Sequence, residues 1–188
     1  RWLKTNPRLT KGNLTVEFEN AWSNFLGVKH SVYVNSGSSA NLGIISAIKQ
    51  ANILKNNKVV VPAVSWATTV TPVIQCGLDP ILCDCNLNNL GVDLEQLEKL
   101  FKEHDPAILI IVHVLGFPCD MKEINSLCKE YNVILIEDSC ESVGSVYEGK
   151  MTGTFGLCSS FSFYFGHHMS TIEGGMISVS YTHLRAHE

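Results

Sequence analysis

The sequence has no apolar run long enough to cross a membrane; the longest, 107–114, is the size of a buried strand. It carries no signal peptide, and Arg1 stands where an initiator Met would, so the natural N-terminus is expected to lie upstream. Charge is sparse. Asp, Glu, Lys and Arg make up 17% of the 188 residues, the net charge is -4, and no basic stripe stands out. A nucleic-acid partner, which needs a dense basic face, is therefore not expected. A disulfide framework is not expected either, because the cysteines number seven. Free thiols fit a reducing cytoplasm. Cys83 and Cys85 form a C-x-C with no second pair at zinc-site spacing. They read as small apolar residues on a strand, and no metal site is expected.

What is present is an ordinary globular composition, 45% hydrophobic. Apolar segments of strand length fall at 31–34, 58–61, 81–84, 107–114, 133–137, 159–164 and 175–178. Helical spacing falls at 16–26, 38–50, 67–75, 94–104 and 121–131. Pro72 inside the third of these should mark a start or a kink. Strands that alternate with helices and lack polar alternation predict an α/β fold, a mainly parallel sheet covered by helices on both faces. Ligands of such sheets bind at the carboxyl ends of the strands.

Four segments fall at those ends. Asn35-Ser36-Gly37-Ser38-Ser39-Ala40-Asn41 joins a strand to a helix; it either caps the helix or offers backbone N–H groups to a phosphate, with Gly37 permitting a tight turn. Val64-Ser65-Trp66 puts an aromatic ring after a strand, as a core residue or as a stacking face. Ile136-Glu137-Asp138-Ser139-Cys140-Glu141 delivers Asp138 at a strand end, as a cap or as a partner for a protonated ring nitrogen. Ser160-Phe161-Ser162-Phe163 leads through Gly166-His167-His168 to Glu173-Gly174-Gly175. Adjacent side chains diverge, so at most one of the two histidines should face a shared site.

Taken in this order, the four segments resemble fold type I pyridoxal-phosphate enzymes, and within them the family of sugar aminotransferases and dehydratases that act on nucleotide-linked sugars. The resemblance runs from about residue 8 to 178. It implies pyridoxal 5'-phosphate or pyridoxamine 5'-phosphate as cofactor, with Gly37, Ser38 and Ser162 on the phosphate, Trp66 on the ring, Asp138 on the ring nitrogen and Glu141 at the cofactor site. It places Arg8, Leu9 and Thr10 against substrate and implies a homodimer with shared sites.

The family's aminotransferases carry a Lys shortly before Glu-Gly-Gly, and here that position is His167. An imidazole cannot link covalently to the cofactor aldehyde, but it titrates near neutrality and can serve as base and then acid. One branch of the family has this exchange, the 3-dehydratases. The resemblance to it implies removal of the C3 hydroxyl of a GDP-4-keto-6-deoxy sugar in deoxysugar biosynthesis, with L-glutamate as amino donor and His167 as catalytic residue. A second dehydratase type has the same histidine, acts on a CDP-linked keto sugar and holds a two-iron cluster on four cysteines; Cys140 stands where the first would be, so that reading stays open, as do an aminotransferase and a non-catalytic member. Residues 179–188, VSYTHLRAHE, look like a translated sequencing adapter. The large cofactor-binding domain is thus expected to fill 1–178 and to be incomplete.

Overall fold

The computed structural model describes residues 2–5 and 10–179. Arg8 and Leu9, read as substrate contacts, and residues 180–188 of the adapter-like tail lie outside the described residues. A 3-10 turn at Trp2–Thr5 precedes helix α1 (Asn13–Leu26), strand β1 (His30–Val34), α2 (Gly37–Gln50), β2 (Lys58–Pro62), α3 (Ala67–Gln75) and β3 (Asp79–Cys83). Then come α4 (Leu94–His104), β4 (Ile108–Val112), a second 3-10 turn (Val114–Gly116), α5 (Met121–Glu130) and β5 (Ile134–Asp138). A small hairpin, β6 (Val146–Tyr147) with β7 (Lys150–Met151), leads to β8 (Cys158–Ser162) and β9 (Gly175–Val179). Val179, grouped by sequence with the tail, closes β9 opposite His30 and Cys158.

The main sheet runs β1-β9-β8-β5-β4-β2-β3. From β8 to β3 each neighbouring pair is parallel, and β9 is antiparallel to both β1 and β8. Both faces are covered, which explains why the strand sequences are apolar throughout. Val60, Leu109, Ile111 and Leu135 pack with Leu97 and Phe101 of α4 and Met121 and Ile124 of α5. Their neighbours Val59, Val61, Ile108, Ile110 and Ile136 point the other way, onto Ile44, Ile45 and Ile48 of α2 and Val73 of α3. Burying each such side chain fully is worth about 1.5–3 kcal/mol. Trp22 and Leu26 of α1 cover Phe161, Phe163 and Met176 at the β8–β9 end.

Two departures from the expected elements have physical causes. Strand β4 ends at Val112 rather than at 114, because the next residue, His113, is fully buried and bonded through its ring, and Leu115 turns the chain with φ 52°. The β6–β7 hairpin was not foreseen, since two-residue strands carry no readable period. Of the two placements expected for Pro72, a start is excluded, since it lies inside α3. Proline has no N–H to give the carbonyl four residues back, that of Thr68. The Asn41 side chain donates to that carbonyl instead, Nδ2 to O at 3.2 Å.

Behind the sheet ends, the wholly buried Glu137 gathers a loop. Its Oε1 accepts the N–H groups of Phe155 and Gly156, both at 2.6 Å, and its Oε2 accepts that of Gly153 at 2.7 Å. His113 Nε2 lies 3.0 Å from Oε2, and His113 Nδ1 accepts the Cys119 N–H at 3.1 Å. With Nδ1 an acceptor, the ring proton sits on Nε2 and is donated to Glu137. Glu137→Ala would strand three backbone N–H groups and the buried imidazole at once. It should destabilise the protein by about 3–5 kcal/mol, read as a lowered midpoint in equilibrium urea unfolding.

Candidate active site

The carboxyl ends of β1, β2, β4, β5 and β8 surround a cavity of about 700 Å³. Gly37, Ser38, Trp66, Asp138, Glu141, Ser162 and His167 all line it, drawn from four separate stretches of chain. Thr10 is not among its lining residues.

The β1–α2 turn forms one wall. Ser36 caps the helix, its Oγ accepting the Ser39 N–H at 3.1 Å, while its carbonyl takes the Ala40 N–H at 3.0 Å. The N–H groups of Gly37 and Ser38 have no acceptor among the described residues. Two free donors at the start of a 14-residue helix suit an anion. Glycine at 37 is not needed for an unusual φ, contrary to the tight-turn expectation, since α2 begins there. It is needed for space: a Cβ would lie 2.7 Å from Ser162 Cβ and 2.9 Å from Cys140 Sγ. The Glu173-Gly174-Gly175 run obeys the same constraint. A Cβ on Gly175 would collide with the Ser36 backbone, and one on Gly174 with Tyr33 and Thr171.

Asp138 lies at the floor, 4% exposed. Oδ2 accepts from Asn41 Nδ2 at 2.8 Å and from Thr69 Oγ1 at 2.9 Å, and Oδ1 accepts the Cys140 N–H at 3.2 Å. The Cys140 thiol beside it is pushed well above its ordinary value by burial and by the Asp138 charge, so it stays protonated. Trp66, 76% exposed, belongs to no core; its ring stands at the cavity rather than beneath the sheet. Glu141 accepts the Leu115 N–H through Oε2 at 2.7 Å, which ties the turn after β4 to the site.

The two histidines diverge, as expected of adjacent side chains. His167 lines the cavity, its ring edge-on to Tyr164 at 6.0 Å and its backbone N–H bonded to the Tyr164 carbonyl; His168 is exposed and outside the lining. Among the described residues, no lysine lines the cavity. Lys150, the nearest one upstream of His167, sits on β7 with its ammonium over the Phe155 ring. Asn41 and Thr69 escaped the sequence reading as site residues. The available signal was a polar side chain on the face of a helix that should be buried; they are 6% and 1% exposed.

This arrangement can hold an anion on the α2 N–H groups, cover a flat ring with Trp66, accept a hydrogen bond from a protonated ring nitrogen at Asp138, and move a proton through His167. Gly37→Ala should cost about 1–3 kcal/mol, the usual penalty of overpacking, measured by chemical denaturation, and should displace the turn from Ser162 in a crystal structure of the variant.

The model of the DegT/DnrJ/EryC1/StrS aminotransferase family matches residues 1–187. GDP-4-keto-6-deoxy-D-mannose 3-dehydratase of Escherichia coli O55:H7 is 40% identical over 171 residues, 89% of this chain and 44% of that protein. The dTDP-4-dehydro-2,6-dideoxy-D-glucose 3-dehydratase of Saccharopolyspora spinosa is 35% identical over 175 residues, 90% of this chain and 38% of that protein. The solved structure of GDP-4-keto-6-deoxymannose-3-dehydratase with a trapped PLP-glutamate geminal diamine superimposes with a TM-score of 0.85 at 37% identity, covering 90% of this chain and 45% of that chain. This chain thus spans less than half the length of these relatives.

Proposed function

The chain belongs to the DegT/DnrJ/EryC1/StrS aminotransferase family, and on that footing we propose that it acts as a pyridoxamine-phosphate-dependent 3-dehydratase of a GDP-4-keto-6-deoxy sugar. One observation carries the reading. His167, which the resemblance matches to the family's lysine, lines the cavity, and among the described residues the lining includes no lysine. The named activities of the relatives support it.

The residues present fit the cofactor. The free N–H groups of Gly37 and Ser38, with the Ser162 hydroxyl facing the same cavity, are a cradle for its phosphate. Trp66 would cover one face of its ring, and Asp138 would accept the ring-nitrogen proton; both line the cavity. Glu141 fixes the turn after β4 and keeps its second carboxylate oxygen for the site. When bound, the cofactor supplies an amine for the sugar's C4 ketone and a ring that withdraws electrons from the carbon next to it. A nitrogen of the His167 imidazole takes a proton from that carbon and delivers one to the C3 hydroxyl as it leaves. Histidine suits both halves because its charge changes near neutral pH. Lacking a primary amine, the imidazole has no means of capturing the cofactor covalently, so elimination followed by hydrolysis prevails over amino transfer. L-glutamate restores the cofactor's amine. We assign Arg8, Leu9 and Thr10 to the substrate, and a cytoplasmic homodimer to the intact protein.

Incubation of the intact protein with pyridoxal phosphate, glutamate and GDP-4-keto-6-deoxymannose should yield a sugar that has lost one oxygen and gained no nitrogen by mass. An amino sugar as product would sink the reading. His167→Ala should slow formation of the deoxy sugar by about 10²- to 10⁴-fold, whereas His168→Ala, at an exposed position outside the cavity, should leave the rate unchanged.

A further inference from the structure

We infer that Asn41 is a positioning residue for the cofactor's ring nitrogen, acting through Asp138 and oriented by the proline in α3. The inference rests on the cofactor reading above. Asn41 Nδ2 makes two bonds from one atom, to Asp138 Oδ2 at 2.8 Å and to the Thr68 carbonyl at 3.2 Å. Both partners are acceptors, so the amide can stand only one way round, with its NH2 toward them. The Thr68 carbonyl is open to Asn41 because Pro72, four residues on, has no N–H to occupy it.

The consequence falls on Asp138. Asn41 and Thr69 supply two donors to Oδ2, and the Cys140 N–H reaches Oδ1. With two bonds holding Oδ2 from α2 and α3, the carboxylate cannot turn about its own axis without breaking both. Oδ1 keeps a lone pair free, and Asp138 lines the cavity. A ring nitrogen in that cavity therefore meets an acceptor held in one orientation. Pro72, an apparent flaw in α3, is what directs the amide.

The test uses the intact protein and pyridoxal phosphate labelled with ¹⁵N at its ring nitrogen. In the wild type, the cofactor should bind and its ¹⁵N signal should report a protonated ring. Asn41→Ala should weaken cofactor binding by about tenfold or more, the worth of one hydrogen bond to a charged group, and shift the ¹⁵N signal toward the unprotonated position. Pro72→Ala gives the Thr68 carbonyl a competing helical donor; it should move the signal in the same direction while leaving the unfolding midpoint of the cofactor-free protein unchanged or raised. A merely structural role for either residue would lower that midpoint and leave the ¹⁵N signal of the bound cofactor alone. Unchanged affinity and ¹⁵N signal in either variant would overturn the inference while leaving the cofactor reading intact. A wild type that binds no pyridoxal phosphate would overturn both.

Discussion

Two adjacent carboxylates at the end of β5, Glu137 and Asp138, face opposite sides of the sheet, and the geometry of the site hangs on how each is satisfied. A buried carboxylate without partners is among the most costly things a fold can contain. Glu137 is surrounded by three backbone N–H groups and the His113 ring, which fixes the loop from Gly153 to Gly156 and the start of the turn after β4. Asp138 is surrounded by donors from α2, α3 and the residue two ahead of it, which locks three elements around the cavity floor. One carboxylate thus builds the scaffold and its neighbour faces the cavity, and strand alternation keeps the two apart.

The anion cradle depends on a different constraint, close approach of backbones. Val34 of β1 and Ser162 of β8 both stand opposite Gly175 of β9, so the turn after β1 is drawn against the end of β8. Only glycine at 37 and at 175 permits that approach, because any Cβ there meets another chain segment. His167 is carried on the connection between β8 and β9, whose ends are fixed by the Phe163–Gly174 backbone bond and by Tyr33 donating to the Glu173 carbonyl at 3.0 Å. The histidine is therefore placed by the same strands that place the cradle.

Much of this was legible along the chain. Helix α4 appears with the bounds that its spacing predicts, Asp93 capping its first turn through the Gln96 N–H. The apolar strands announce a sheet covered on both sides, and the ends of those strands carry Gly37, Ser38, Trp66, Asp138, Glu141, Ser162 and His167, all of which meet in one cavity. The divergence of His167 from His168 was expected of neighbouring side chains, and the bend that carries them between β8 and β9 keeps only His167 at the cavity. What stayed hidden were features with no local period: the β6–β7 hairpin, the turn at Leu115, and the pairing of His113 with Glu137 across 24 residues.

Hydrophobic period and strand-end position are local properties, so the alternation of elements, the covered, mainly parallel sheet and the residues delivered to its ends can be read along the chain. Which of those residues share a surface, why glycine is obligatory at 37, and how Pro72, Asn41 and Thr69 come to support Asp138 emerge only in the folded molecule. Those facts depend on approaches between segments far apart in the chain, Gly37 with Ser162 and Asn41 with Asp138 among them. No local pattern encodes a carbonyl left vacant in one helix and filled by a side chain from another.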